Sequence, residues 1–318
     1  MASDSVLVAD VRSTADAIAS MEVRGAATIA DAAAAALAAQ AEASEADDPT
    51  AFREEMHAAA RRLHDTRPTA VSLPNALRFV LGELSGETVE ALRASVVDRA
   101  ESFRHDLERA QDRLGSIGAN RLRDGDTVMT HCHSTDAVAC VEHAVADGKS
   151  IRAIVKETRP RNQGHITARQ LTELGVPVTL IVDNAAHRYL NDADHVLVGA
   201  DSIAADGSVV NKIGTSGLAV SARDRGVPIT VAAQTIKLDP STLAGHAVEI
   251  ENRDESEVID PETREELGDV EVANPAFDVT PPRHVDAIVT ERGQFPPESI
   301  VVLMRELWGE VPEEPWAP

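Results

Sequence analysis

The chain reads as an α/β protein in two parts, a helical N-terminal domain over residues 1-115 followed by a doubly wound parallel sheet domain over residues 116-318. Three observations predict this. Apolar residues recur at helical spacing as far as about Gly115, and after Gly118 short β-branched runs alternate with helical stretches. A chain of 318 residues that is 43% hydrophobic can also bury a core large enough for two domains. Aromatic residues make up only 3%, so Ala, Val, Leu and Ile must fill that core.

In the first part, Val6, Val11, Ala15, Ile18 and Met21 recur at spacings of three to five, residues 28 to 45 are an Ala-rich helix, and 51 to 64 and 87 to 115 keep the same period. Two polar interruptions, Arg24-Gly25-Ala26-Ala27 and Thr66-Arg67-Pro68-Thr69-Ala70, each come just before a new helix. In the second part, strands are expected at Thr127 to Thr130, Ile151 to Val155, Val178 to Val182, His195 to Gly199, Ile229 to Ala232 and Ala287 to Thr290. Helices are expected between them at 135 to 147, 162 to 175, 184 to 191, 213 to 225 and 296 to 308. Regular alternation of this kind makes a parallel, doubly wound sheet. Asp206-Gly207, flanked by apolar residues, predicts a two-residue hairpin turn that folds Asn211-Lys212 back toward Asp201. Between about 239 and 285 lies an acidic excursion, Glu249 to Glu271, too long for an ordinary connection and read as a partner-facing loop or a second crossover.

Charge narrows the function classes. Thirty Lys+Arg stand against 53 Asp+Glu, a net charge of -23, and only four of the basic residues are lysines: Lys149, Lys156, Lys212 and Lys237. That balance argues against nucleic-acid or anionic-membrane partners and fits a halophilic protein kept soluble in high salt. Where surface lysines are removed wholesale, those that remain are candidates for work that Arg cannot do. Two cysteines, Cys132 and Cys140, make no disulfide framework, and no signal peptide or run of about eighteen apolar residues appears, so a soluble, cytoplasmic protein is expected.

The chemistry-bearing residues gather at strand ends. Gly199-Ala200-Asp201 closes an apolar run on a lone carboxylate, where α/β folds place chemistry. Asn211-Lys212-Ile213-Gly214-Thr215 offers an amide, an ammonium and a helix start, a suitable anion seat. Cys132, in Thr130-His131-Cys132-His133-Ser134, is followed by Ser134-Thr135-Asp136 capping a helix, and a nearby helix N-terminus favours thiolate. Cys140, among Val138, Ala139 and Val141, reads as core. His131 and His133 invite a metal reading, but strand alternation turns Cys132 away from them and no CxxC or HExxH supports it. No GxGxxG follows any strand, so a dinucleotide site is not expected. The loop Lys156 to Gly164, with Arg159, Arg161, Asn162 and Gln163, could contact a phosphate or sugar hydroxyl, or hold only a structural Glu157-Arg159 pair.

These motifs, with Glu157-Thr158-Arg159-Pro160-Arg161-Asn162-Gln163-Gly164, Asn274-Pro275-Ala276-Phe277-Asp278-Val279-Thr280-Pro281, Met21 to Ala26 and Thr66 to Arg78, resemble the translation initiation factor 2B alpha/beta/delta family, and within it the archaeal branch that isomerises ribose 1,5-bisphosphate. The likeness covers nearly the whole chain. It implies a helical N-terminal domain and a Rossmann-like C-terminal domain. It also implies an aldose-ketose isomerase of nucleotide and nucleoside ribose salvage, including AMP metabolism, that makes D-ribulose 1,5-bisphosphate. Cys132 would be the proton acceptor and Asp201, partly desolvated and protonated, the donor. Substrate would be held by Arg24, Gly25, Ala26, Ala27, Arg67, Ser134, Thr135, Asp136, Gln163, Asn211, Lys212 and Lys237. No metal or other cofactor is implied, and the assembly expected is a homo-oligomer, a dimer or trimer of dimers. Methylthioribose 1-phosphate isomerases share the cysteine, acid and Asn-Lys but carry a longer Gly/Ala-rich segment after the cysteine. Non-catalytic regulatory subunits of the initiation factor lack the cysteine. Both are the rival readings.

Overall fold

The protein is described by a computed structural model over residues 6–67, 69–82, 84–246, 248–310 and 314–317; Ser5 and Pro68, which fall in expected segments, lie outside the described residues. Two compact units emerge. One holds the residues up to Ala110 together with Ile236–Leu238 and Trp308–Pro318, the other holds Gln111–Thr235 and Asp239–Leu307.

The first unit is helical: α1 (Ala9–Ala19), α2 (Ala26–Ala43), α3 (Pro49–His64), α4 (Ser72–Leu81) and the first two thirds of α5 (Val89–Ala119). Apolar residues at helical spacing supply its core, with Val11, Ile18, Leu37, Phe52, Met56, Leu77 and Leu92 all fully enclosed. The alanines of α2, including Ala30, Ala33, Ala34 and Ala41, are buried there, so backbones approach closely without large side chains. Asp48 starts α3 by accepting from Thr50 N (2.8 Å) and Ala51 N (3.0 Å), with Pro49 at the first helical position. Asn75 of α4, fully buried, donates to the carbonyls of Ile236 (2.9 Å) and Leu238 (2.7 Å) and fixes that short segment.

The second unit alternates β1 (Thr127–Thr130), α6 (Thr135–Ala146), β2 (Arg152–Lys156), α7 (Gly164–Glu173), β3 (Val178–Ile181), the single turn α8 (Ala186–Tyr189) and β4 (His195–Val198). It continues with β5 (Ser202–Ile203), β6 (Val209–Lys212), α9 (Thr215–Arg225), β7 (Ile229–Ala232), α10 (Pro261–Leu267), β8 (Phe277–Thr280), β9 (Ala287–Thr290), β10 (Gly293–Phe295) and α11 (Ile300–Trp308). The main sheet runs β3-β2-β1-β4-β7-β9-β10 and is parallel except for β10. All six expected parallel strands are present within a residue or two. The antiparallel edge strand β10 was not foreseen, since Gly293-Gln294-Phe295 is too short to show a period. The 184 to 191 stretch is a single α turn between 3-10 turns rather than one helix.

This order places the reversal of the winding between β1 and β4, which pair through Val128↔His195 and Met129↔Val196. In open α/β sheets the crevice at the carboxyl ends of the strands flanking such a switch is where ligands bind. Cys132 follows β1, and Asp201 follows β4.

A second, antiparallel sheet, β5-β6-β8, stands after β4. The expected hairpin is there, but its turn is different. Gly207 N donates to Ala204 O (2.9 Å), Ala204 N to Ser208 O (2.9 Å), and Gly207 has φ +82, so the loop is Ala205-Asp206-Gly207 with a left-handed glycine closing it rather than a two-residue turn. Asp206 holds this form by accepting from Ser208 N at 2.8 Å. Of the two readings of the excursion, the structure bears on the crossover. It lies in the connection that joins the parallel neighbours β7 and β9, and it is stitched together at its base, with Asn252 bridged to Pro275, Arg253 N donating to Asn274 O (2.9 Å) and Ala276 N to Glu251 O (2.8 Å).

Candidate functional site

Cys132 lies just past β1 with φ +68, 7% exposed. Its N–H donates to Thr158 Oγ1 (2.9 Å), and its carbonyl accepts from Thr167 Oγ1 (2.9 Å). Thr158, at the end of β2, also has positive φ (+65), which is costly for a β-branched residue. Asp183 secures that bend by accepting from Thr158 N (3.0 Å) and Arg159 N (2.7 Å). The two strained residues are thus tied directly to each other, and each bend is held by hydrogen bonds from a neighbouring element, those at Cys132 being buried. Burial pushes the Cys132 thiol up to about 11, although the backbone N–H of His133 and the charges of Lys212 and Arg253 act in the opposite direction, and Asp201 adds to the rise. The expected thiolate from helix proximity is therefore corrected: desolvation outweighs the helix end, and the resting group is a thiol.

Below the thiol lies a layer of buried polar groups. His131 donates through Nε2 to Ile213 O (2.8 Å), and its Nδ1 lies 3.3 Å from Thr158 Oγ1. Burial, then the Lys156 charge, lowers His131 to about 4, so the ring is neutral and Nε2–H donates to Ile213. Lys156, 3% exposed, reaches Gly214 O (3.4 Å) and Asp183 (4.0 Å). Asp278 accepts from Gly214 N (2.7 Å) and Ser216 N (3.0 Å) and so caps α9. His131, Lys156 and Asp278 together fix the backbone of 213 to 216. His133 bonds elsewhere, to Thr167 Oγ1 at 3.1 Å through Nδ1. Residues 131 to 133 lie beyond β1, so strand alternation does not govern them as expected.

That fixed backbone carries Asn211 and Lys212, both buried. Asn211 Nδ2 donates to Thr215 Oγ1 (3.0 Å), and Lys212 Nζ donates to Ala276 O (2.9 Å) and lies 4.5 Å from the Phe277 ring centroid. Burial, then Arg253, lowers the Lys212 ammonium, while Cys132, Asp201 and Glu251 raise it. Cys132 and Lys212 therefore feel each other's charge, and each also feels those of Asp201 and Arg253.

The remaining expected residues are distributed as follows. Asp201 is exposed, with its N–H on Val210 O (2.9 Å), so the fold alone does not desolvate it as expected. Ser134 Oγ accepts from Ala137 N (3.2 Å) and caps α6, and Thr135 is exposed. Asp136 is fully buried and accepts from Gln234 Nε2 at 2.8 Å, so its carboxylate serves an internal pair. Gln163 precedes α7 and borders a cleft with Lys212, Arg253 and Asn274. In the helical unit Arg24 and Gly25 are exposed at the start of α2, Ala26 and Ala27 form its first turn, and Arg67 and Lys237 are half-buried. Thr158, Asp183, Asp278 and Arg253 were not foreseen as site residues, and Lys156 only as a retained lysine at the start of the 156 to 164 loop. Asp278 was visible only within the Asn274 to Pro281 motif, and Arg253 stands in the acidic excursion, read as a partner-facing loop or a second crossover.

The second unit is a doubly wound α/β protein whose main-sheet switch point is followed by a thiol and a carboxylate. The model of the initiation factor 2 subunit family matches residues 22–297, and the chain belongs to that family. It is 72% identical over 308 residues to the ribose 1,5-bisphosphate isomerase of Haloferax volcanii, covering 97% of this chain and 95% of that one. It is 70% identical over 314 residues to the ribose 1,5-bisphosphate isomerase of Haloterrigena turkmenica, covering 96% of each. Among solved structures, the Pyrococcus horikoshii OT3 translation initiation factor eIF-2B matches with a TM-score of 0.78 at 30% identity, over 93% of this chain and 100% of that one.

Proposed function

We propose that the protein is an aldose-ketose isomerase that converts α-D-ribose 1,5-bisphosphate to D-ribulose 1,5-bisphosphate in nucleotide and nucleoside ribose salvage. The observation that carries the reading is the pairing of Cys132 and Asp201 after the two strands at the switch, with the Lys212 ammonium in electrostatic reach of both. The near full-length similarity to isomerases of that name supports it.

The 1-phosphate leaves the anomeric carbon without a hydroxyl, so the ring must open with the phosphate attached. Asp201 as the acid protonates the ring oxygen as the C1–O bond breaks, and Cys132 as thiolate removes the C2 proton to give an enediol phosphate. The thiol then returns that proton to C1, and the C2 hydroxyl proton restores Asp201 as the C2 carbonyl forms. The two groups are mutually supporting. An ionised Asp201 raises the thiol, so protonating Asp201 favours the thiolate that the reaction needs. Lys212, Gln163 and Asn211 serve as ligands of substrate oxygens. Arg24 to Ala27, Arg67 and Lys237 are carried as phosphate ligands by the family resemblance. Loss of the charged group in Lys212→Ala or Arg67→Ala is expected to weaken bisphosphate binding by about 1.5–3 kcal/mol each. Unchanged affinity in both would remove them from the set.

The deciding experiment offers purified protein ribose 1,5-bisphosphate and methylthioribose 1-phosphate side by side. A product from the first that a carboxylating enzyme accepts supports the reading. Turnover of the second alone, or binding without turnover, overturns it. The expected homo-oligomer is tested on the same preparation by sedimentation.

A further inference from the structure

Of the two arginines in the acidic excursion, Arg253 and Arg264, the first lies on the outgoing leg and borders the cleft beside Lys212. Arg253 is held by a β-bridge at its neighbour Asn252 and by its own N–H on Asn274 O, so its position is fixed by backbone rather than by a flexible loop. Its side chain is 12% exposed and lies 5.8 Å from the centroid of Phe277, the same ring that Lys212 Nζ approaches at 4.5 Å. Two cations are thus gathered over one phenyl ring in a chain of net charge -23.

Their donors are incompletely used. A guanidinium has five N–H groups, and among the described residues only Nε is bonded, to Glu251 Oε1 at 3.1 Å. Among the described residues the terminal nitrogens, a planar fork suited to a phosphate edge, make no hydrogen bond. Lys212 gives one N–H to Ala276 O and has two more. Both side chains border the same cleft, with Gln163 and Asn274. Glu251 bonds the arginine at Nε and so leaves the fork clear.

We propose that Arg253 and Lys212 form a two-cation seat for the 1-phosphate of the sugar bisphosphate, and that the excursion exists to deliver Arg253. This rests on the isomerase reading above. Both cations are in electrostatic reach of Cys132, the proposed acceptor of the C2 proton, and the 1-phosphate is carried on the neighbouring carbon. The 5-phosphate lies at the far end of the sugar and needs a different anchor.

The test compares ribose 1-phosphate and ribose 5-phosphate as ligands of the full-length protein at one fixed molar KCl concentration, with KM and kcat for the bisphosphate. Arg253→Gln is expected to weaken ribose 1-phosphate by about ten- to hundredfold and ribose 5-phosphate by less than about threefold. Arg253→Lys keeps the charge but loses the fork, and falls between. Glu251→Gln is expected to tighten ribose 1-phosphate, whereas a purely structural Arg253–Glu251 pair predicts equal damage from either substitution. Wild-type protein supplies a readout free of misfolding: ribose 1-phosphate, and not ribose 5-phosphate, should protect Arg253 from phenylglyoxal, read by peptide mass. Ribose 1-phosphate affinity unchanged in a folded Arg253→Gln protein, equal loss for both ligands, or no selective protection would each overturn the seat. Failure of wild-type protein to bind any of the three sugars would instead overturn the isomerase reading.

Discussion

At the scale of single residues, the thiol decides the chemistry. With its pKa pushed up to about 11, about one Cys132 in a thousand is ionised at pH 8 in the unliganded protein. Its alkylation by iodoacetamide, followed on the Cys132 peptide, should therefore climb about tenfold per pH unit from 7 to 10 with no plateau. An ordinary thiol levels off near pH 9, and a plateau there for Cys132 would mean that the helix end wins over burial after all. Lys212→Gln removes a charge that lowers the thiol, so its curve should lie lower at every pH. Because Cys132 and Asp201 are proposed to move different protons, Cys132→Ser and Asp201→Asn should each cut turnover about a hundredfold or more, with substrate affinity held within about tenfold. Near-normal turnover in either would end the assignment.

At the scale of elements, the carboxyl ends of β1, β2 and β4 fit together through very small clearances. Gly199, after β4, faces the Ser134 hydroxyl that caps α6. A Cβ built on Gly199 would sit 2.3 Å from Ser134 Oγ and 2.5 Å from its Cβ. Gly199→Ala should then displace the cap and cost about 1–3 kcal/mol by overpacking, measured as a fall in unfolding free energy at constant salt. Full stability would show that the strand end has room to move. The sequence exposes this level unevenly. Four-residue apolar runs such as Ile229–Ala232 announce buried strands, and Gly199-Ala200-Asp201 announces a strand end. The layer beneath the thiol was not legible, because His131, Lys156, Asp183 and Asp278 come from four separate segments and converge only when the strands take their order. The burial that raises Cys132 was hidden for the same reason. A helix cap can be read locally, but desolvation depends on what the rest of the sheet brings over it.

At the scale of the whole molecule, the charge balance has a structural counterpart. None of the four lysines is exposed: Lys156 and Lys212 are buried, Lys149 is bonded to Ala119 O at the end of α5 (2.7 Å), and Lys237 is half-buried. The exposed basic groups are left to Arg, while 53 acids give the net -23. In dilute buffer the unscreened acids repel one another and oppose the compact state. At molar salt the Debye length falls to about 3 Å and that opposition largely disappears. The cations near the thiol respond in the opposite sense, because salt anions compete with phosphate for Lys212 and Arg253. Stability should thus rise steadily from 0.1 to 3 M KCl while KM for the bisphosphate also rises, and turnover at saturating substrate should follow stability, since an unfolded chain has no seat to compete for. Thermal melts and Michaelis curves over that range separate the two effects. A melting temperature that is flat or falls with KCl would show that the acidic surface is not an adaptation to salt, and the scarcity of lysine would need another cause.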